Sequence, residues 1–211
     1  MTQKERQERS REEIYQAALK EFGAHGYDAV NMERICAGHG ISKGMMYHYY
    51  TGKDELFLLC VERMYNDLKA HIERNMDALS ECDVFEAIRD YFMLRECFFQ
   101  QHPLQKGVFE SAFLNPPQHL MERIRQLRAP IRELNRQFLQ RQISRMLLRP
   151  GLDEKKVARY LESMESLFKH VLTCYSGEQT KMDLHAMLAF AGELLDMILF
   201  GVLRQPEGQC R

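Results

Sequence analysis

The sequence has almost no net charge, with 29 lysines and arginines against 30 aspartates and glutamates. A chain-wide polyelectrolyte partnership with nucleic acid is therefore excluded, and any such contact has to come from a local patch. An uncharged apolar run of about 18 residues, the length a membrane-spanning helix needs, is also missing. The most apolar stretch, 184–203, is broken by Glu193 and Asp196. The opening "MTQKERQERSREE" has no apolar core of the kind a signal peptide carries. These absences predict a cytoplasmic protein with no membrane association.

The six cysteines, Cys36, Cys60, Cys82, Cys97, Cys174 and Cys210, contain no Cys-x-x-Cys pair. They read as reduced thiols in apolar helical patterns, with a redox sensor as the alternative. No His-Glu-x-x-His and no Cys/His ligand spacing occurs, and "GHGISKG" and "TGK" both depart from the phosphate-binding G-x-x-x-x-G-K-[ST] pattern. No metal, no cofactor and no enzyme activity are expected.

What is present is a chain of 211 residues, 45% hydrophobic and 28% charged, long enough to bury a real core. Glycine and proline fall in short turn signals, such as "GAHGYD", "GHGIS", "TGKD", "NPP" and "RPGLD". Between them the apolar residues recur at three and four, the period of amphipathic helices. Ile14, Ala18 and Phe22 form one stripe; Leu56, Leu59, Cys60, Met64 and Leu68 form another. Further stripes run through Phe85, Ile88, Phe92 and Phe99, through Ile124, Leu127, Ile131, Leu134 and Phe138, and through Val157, Leu161, Met164, Phe168, Val171 and Tyr175. No stretch alternates with period two for long. The spacing predicts an all-α fold of about nine helices, with short helical segments in residues 1–53 and a larger helical bundle over 54–211.

The segments 154–175 and 183–203 carry more apolar surface than one core needs, including a second line at Tyr160 and Leu167. That predicts an isologous homodimer interface, with a thick monomeric core as the alternative.

The stretch "GISKGMMYHYYTGK" (40–53) crowds methionine, tyrosine and histidine between glycines and lysines. As a strand, both faces would carry large side chains and neither would be clearly core. As a helix capped by Ser42, with Ile41 before the cap and Met46 four positions into the helix, it separates into two sides. Met46, Tyr49 and Tyr50 fall together on the buried side, at about 100° per residue. Gly44, Met45, Tyr47 and His48 fall opposite, and Lys43 reaches outward from the first turn. Gly44 permits close backbone approach, Tyr47 and His48 can donate to phosphate oxygens, and Lys43 can reach a base edge or a phosphate. Between Arg34 and Lys53 there are three basic residues and no acid. Lys53 stands at the start of the next helix, where free backbone N–H groups also favour an anion. The preceding "NMERICAGHG" reads as a short helix capped by Asn31 and closed by a glycine turn, so the pair makes a helix-turn-helix.

Residues 14–57, "IYQAALKEFGAHGYDAVNMERICAGHGISKGMMYHYYTGKDELF", closely resemble the DNA-binding region of the TetR family of bacterial transcriptional regulators. The resemblance covers roughly the first quarter of the chain. It implies a three-helix DNA-binding domain, a C-terminal ligand-binding domain, a homodimer formed by the last two helices, and release of a double-stranded operator by a small effector. By position, Lys43, Gly44 and Met45 would approach bases, while Tyr47, His48 and Lys53 would hold phosphates, helped by Ser42 and Arg34. Met45, Asn31, Thr51-Gly52, Cys36 and His39 depart from the residues the family commonly places there. Met45 can meet a thymine methyl but cannot hydrogen-bond a base edge.

The resemblance also implies a small-molecule effector held by the bundle, and thirteen methionines and twelve phenylalanines favour an adaptable apolar cavity and hence a largely apolar effector. Large or polar residues near the apolar stripes are the candidates: Tyr91, Arg95, Phe99, His102, Phe109, Phe113, Phe138, Met164, Phe168 and His170. Each can equally be ordinary core. The alternative is a bundle that holds a protein partner instead of a small ligand. Two charged segments remain open. The N-terminal arm, with Lys4, Arg6, Arg9 and Arg11 against Glu5 and Glu8, reads as a solvated disordered tail or as an arm trailing over DNA. The arginines between Arg123 and Arg149 read as a solvated helix face or as a surface for an acidic ligand.

Overall fold

The structure, a computed structural model, describes residues 2–81 and 83–161 together with 163, 193 and 197. Among the described residues there is no strand; the fold is all-α. Helix α1 spans Gln3–His25, α2 Met32–His39, α3 Lys43–Tyr49, α4 Lys53–Asn75, α5 Val84–Gln101, α6 Pro103–Phe113 and α7 Met121–Ile143. Short 3₁₀ turns lie at Asp77–Glu81 and Gln118–Leu120, and residues 154–161 are helical.

The chain divides into two compact units. The first takes residues 1–69 and 98–129, the second residues 70–97 and those from Pro130 onward. The division at 53/54 drawn from the sequence separates the segment expected to bind DNA from the remainder; the compact units divide at other points of the chain.

In the first unit, local chemistry sets the helix ends. Thr2 Oγ1 accepts the Glu5 backbone N–H while the Glu5 carboxylate accepts the Thr2 N–H, a reciprocal box that starts α1. The first residues are therefore helical from Gln3, where the sequence pattern suggests a disordered tail. Asn31 caps α2 by accepting the Arg34 N–H at 2.8 Å, and Gly40, at φ +67°, closes that helix in the left-handed region that suits glycine. Ser42 caps α3 by accepting the Met45 N–H at 3.1 Å.

The apolar stripe of α1 is fully buried at Ile14, Ala18 and Phe22. Phe57, from the second turn of α4, stands edge-on to Phe22 at 5.2 Å and to Tyr27 at 5.0 Å. Burying a ring of that size stabilises by about 1.5–3 kcal/mol. The start of α4 thus shares the core formed by α1 and the loop that follows it. On the other side, α1 meets α6 with no side chains between them. A Cβ on Gly107 would lie 1.9 Å from the Gly23 carbonyl oxygen, and one on Gly23 would lie 2.5 Å from that of Leu104.

In the second unit, Tyr91 stacks flat on Phe138 at 3.8 Å, and Ile72, Ile88, Ile131, Leu134 and Val157 are buried. The expected dimer segments, 154–175 and 183–203, fall largely outside the described residues. Of the described part, Val157 and Leu161 are buried while Tyr160 is half exposed.

Candidate nucleic-acid interface

Helix α3 separates Met46 and Tyr50 from Gly44, Tyr47 and His48 as the wheel requires, but Met45, expected outside, and Tyr49, expected inside, are buried to a similar degree. Met46 is fully buried, Tyr50 nearly so, and Met45 and Tyr49 are half-buried. Lys43, Gly44, Tyr47 and His48 are exposed, Tyr47 by 54%. An exposed tyrosine beside a glycine with open space is a surface ready to be covered. A Cβ built on Gly44 would meet nothing within 4 Å.

The polar residues are already oriented by partners. Ser42 Oγ is occupied as an acceptor at the cap, which leaves its hydroxyl proton to donate. Lys43 Nζ lies 3.4 Å from Glu33 Oε1, an exposed pair that contributes about 0–1 kcal/mol and that a phosphate can displace. His48 stands edge-on to Tyr49 at 4.7 Å. Arg34 Nε donates to Glu21 Oε2 on α1, and His39 Nε2 lies 3.2 Å from the other oxygen. Burial pushes the Glu21 pKa up, but the hydrogen bonds from Arg34 and His39 outweigh it and hold the carboxyl below its ordinary value. The basic segment 34–53 therefore folds against carboxylates supplied from elsewhere, Glu21 and Glu33.

Lys53 Nζ donates to the Tyr27 carbonyl oxygen at 3.0 Å and lies 3.9 Å from the centre of the Tyr27 ring. Its ammonium keeps two further N–H groups. Around the same tyrosine, a knot ties four elements together. The Tyr27 hydroxyl donates to Asp54 Oδ1, Asp54 Oδ2 lies 2.9 Å from His119 Nε2, and the Tyr27 N–H donates to Ser111 Oγ at 3.1 Å. The Tyr27 hydrogen bond holds Asp54 below the ordinary carboxylate range, with help from His119. Burial, and then the bond to the Asp54 carboxylate, raises the Tyr27 phenol. Sequence reasoning missed this knot because its members are up to 92 positions apart.

The residues expected at an effector site lie in two groups. Tyr91, Arg95 and Phe138 come together in the second unit. The Arg95 guanidinium lies 4.9 Å from the centres of both the Tyr91 and Phe92 rings and donates to the Tyr91 carbonyl oxygen at 2.9 Å. Its other terminal nitrogen donates to Asn135 Oδ1, which the Tyr91 hydroxyl also reaches at 2.9 Å. Asn135 was not foreseen; it has no apolar period to announce it. In the first unit, Phe99 lies 4.8 Å from Phe109, which stacks on Phe113 at 5.2 Å. His102 stands exposed before α6, its ring 4.6 Å from that of Phe98. Met164, Phe168 and His170 lie outside the described residues. Among the described residues there is no group of His, Cys, Asp and Glu that could hold a metal ion, and no helix long and apolar enough to cross a membrane.

Residues 14–60 match the family described as "Bacterial regulatory proteins, tetR family". The HTH-type transcriptional repressor SCO4008 of Streptomyces coelicolor is 33% identical over 70 residues, which is 33% of this chain and 36% of that one. The chain thus aligns with little more than a third of that relative's length. Two solved structures share the fold. PfmR, a TetR family transcriptional regulator of Thermus thermophilus, has a TM-score of 0.57 at 22% identity over 92% of this chain and 98% of its own. The fatty acid degradation regulator FadR of Bacillus halodurans has a TM-score of 0.62 at 18% identity over 87% of this chain and 93% of its own.

Proposed function

With residues 14–60 a TetR-family DNA-binding segment, we propose that the protein is a sequence-specific transcriptional regulator, a repressor that a small-molecule effector releases from its operator. The observation that carries the reading is the exposed face of α3. Lys43, Gly44, Tyr47 and His48 stand together on a capped helix whose opposite side is core. Lys43, Gly44 and Met45 read base edges and the T methyl, while Tyr47, His48, Lys53, Ser42 and Arg34 hold phosphates. Arg34 and Lys43 exchange Glu21 and Glu33 for phosphate when DNA binds. The two spare N–H groups of Lys53 take the phosphate while its third stays on Tyr27.

The active form is a homodimer through 154–175 and 183–203. Tyr160, half exposed beside buried Val157 and Leu161, supports this reading. Two copies of α3 then dock in half-sites one DNA turn or more apart, at ~34–36 Å per turn. The effector is a largely apolar molecule with a hydrogen-bonding end, taken up among Tyr91, Phe138 and the Arg95–Asn135 pair. Helix α4 contributes residues to both compact units, and its displacement would alter the spacing of the two recognition helices. A 100-fold loss of DNA affinity requires about 2.7 kcal/mol of coupling, and by reciprocity operator DNA weakens the effector by the same factor.

Selection of duplexes from a random library by the purified full-length protein tests the reading. The expected result is enrichment of a two-fold symmetric site. A protein that enriches no sequence above background is not a sequence-specific regulator.

A further inference from the structure

The buried line of α1, Phe22, Ala18 and Ile14 with Tyr15 beside it, does not end where the core ends. Continued at helical spacing toward the N-terminus, the same face carries Arg11, Gln7 and Lys4. No residue from Gln3 to Glu13 is buried, so α1 overhangs its own core. From Arg11 back to Gln3 that overhang is about 12 Å long at 1.5 Å per residue.

Two observations say what the overhang faces. The Arg11 guanidinium lies over the ring of Tyr49, 5.6 Å from its centre, and Tyr49 belongs to α3 beside His48. The line therefore reaches the recognition helix at its Arg11 end. Three of the four carboxylates of the segment are engaged by partners outside this line. Glu12 accepts from Arg63 and Gln16, Glu13 pairs with Arg9, and Glu5 reaches the Thr2 N–H. Glu8 lies 3.8 Å from Lys4, but both are highly exposed, and such a pair contributes about 0–1 kcal/mol. A guanidinium resting on a ring keeps its N–H edge for a phosphate. An overhanging line that replaces apolar residues with cations and an amide has the charge of a DNA-backbone surface, and at Arg11 it meets α3 through Tyr49, the neighbour of exposed His48.

We infer that Lys4, Gln7 and Arg11 form a second contact with the phosphate backbone of the DNA bound at α3, one that adds affinity without reading sequence. The inference rests on the DNA-binding reading of α3, and the test separates the two.

Fluorescence anisotropy of the full-length protein on a labelled random-sequence duplex of about 30 base pairs is followed from about 50 to 200 mM salt. The double variant Lys4→Gln, Arg11→Gln should lower the magnitude of the slope of log affinity against log salt by about 1.8, close to 0.9 for each phosphate no longer neutralised. Arg6→Gln is the control. Arg6 is an exposed cation on the far side of the helix, about 140° from Arg11. Its slope should stay within a few tenths of the unsubstituted protein. Arg11→Lys, which keeps the charge, should restore most of the slope, so a loss caused by misfolding is recognised by its absence there and by a lowered thermal midpoint. A double-variant slope equal to that of Arg6→Gln overturns the inference and leaves the role of α3 standing. Failure of the unsubstituted protein to bind any duplex removes the DNA-binding reading itself, and this contact with it.

Discussion

Replacing Gly44 by alanine should move stability and DNA affinity in opposite directions. The methyl group built there meets nothing within 4 Å, and Gly44 lies in the first turn of α3 with an ordinary backbone. The fold has no steric objection to it. Alanine lowers the conformational freedom of the unfolded chain and favours helix, so the variant should gain about 0.5 kcal/mol in chemical denaturation. The open space at Gly44 is also where a nucleic-acid backbone or base edge would come closest. A methyl forced into a filled contact costs about 1–3 kcal/mol, which is roughly a 5- to 150-fold loss of affinity at 1.4 kcal/mol per tenfold. Anisotropy on the selected duplex, beside a denaturation curve of the same preparation, reads both quantities. Unchanged affinity with raised stability would place Gly44 outside the interface and refute the close-approach argument. A fall in both would show that the open space is needed by the fold.

Three further substitutions probe the supports of this surface. Gly107→Ala places a Cβ 1.9 Å from the Gly23 carbonyl oxygen. Backbone cannot rotate aside, so the variant should lose about 1–3 kcal/mol or more in denaturation, despite the helix preference of alanine; a stable variant would mean that α1 and α6 can separate freely. Asp54 is held below its ordinary value of 3.8 by Tyr27 and His119, so its contribution is present above that pH and declines as pH falls through the lower folded value. Asp54→Asn should therefore melt below the unsubstituted protein at neutral pH, with the difference shrinking under acid. Tyr27→Phe, which removes the donor, should cost about 1 kcal/mol. A constant difference across pH would contradict this assignment.

The helices of this chain were legible because each carries its own signal within a dozen residues. Ile14, Ala18 and Phe22 announce α1 by spacing, and Ser42 and Asn31 announce their helices by capping chemistry. The two sides of α3 followed from one angle per residue, and Met46 and Tyr50 are buried as that angle requires. What escaped was pairing between distant residues. Glu21 with Arg34, Arg11 with Tyr49 and Asn135 with Arg95 leave no trace in local periodicity, because only the folded chain sets them side by side. One miss was local. The Thr-x-x-Glu box of Thr2 and Glu5 is a helix-start signature, yet the charged residues after it read as a tail. Phe57 was overlooked because the stripe through Leu56 and Cys60 accounted for its helix already, although both lines are buried.

The bare contact between Gly23 and Gly107 bears on how this chain could be recombined with others. A chimera that grafts residues 1–53 onto a foreign bundle inherits only half of that joint. Unless the recipient offers a glycine where α6 passes Gly23, the incoming helix is held off by a side chain and loses its seat. The exchangeable part is therefore a helix-turn-helix together with the stretch of α6 that it touches, though the two are well separated along the chain.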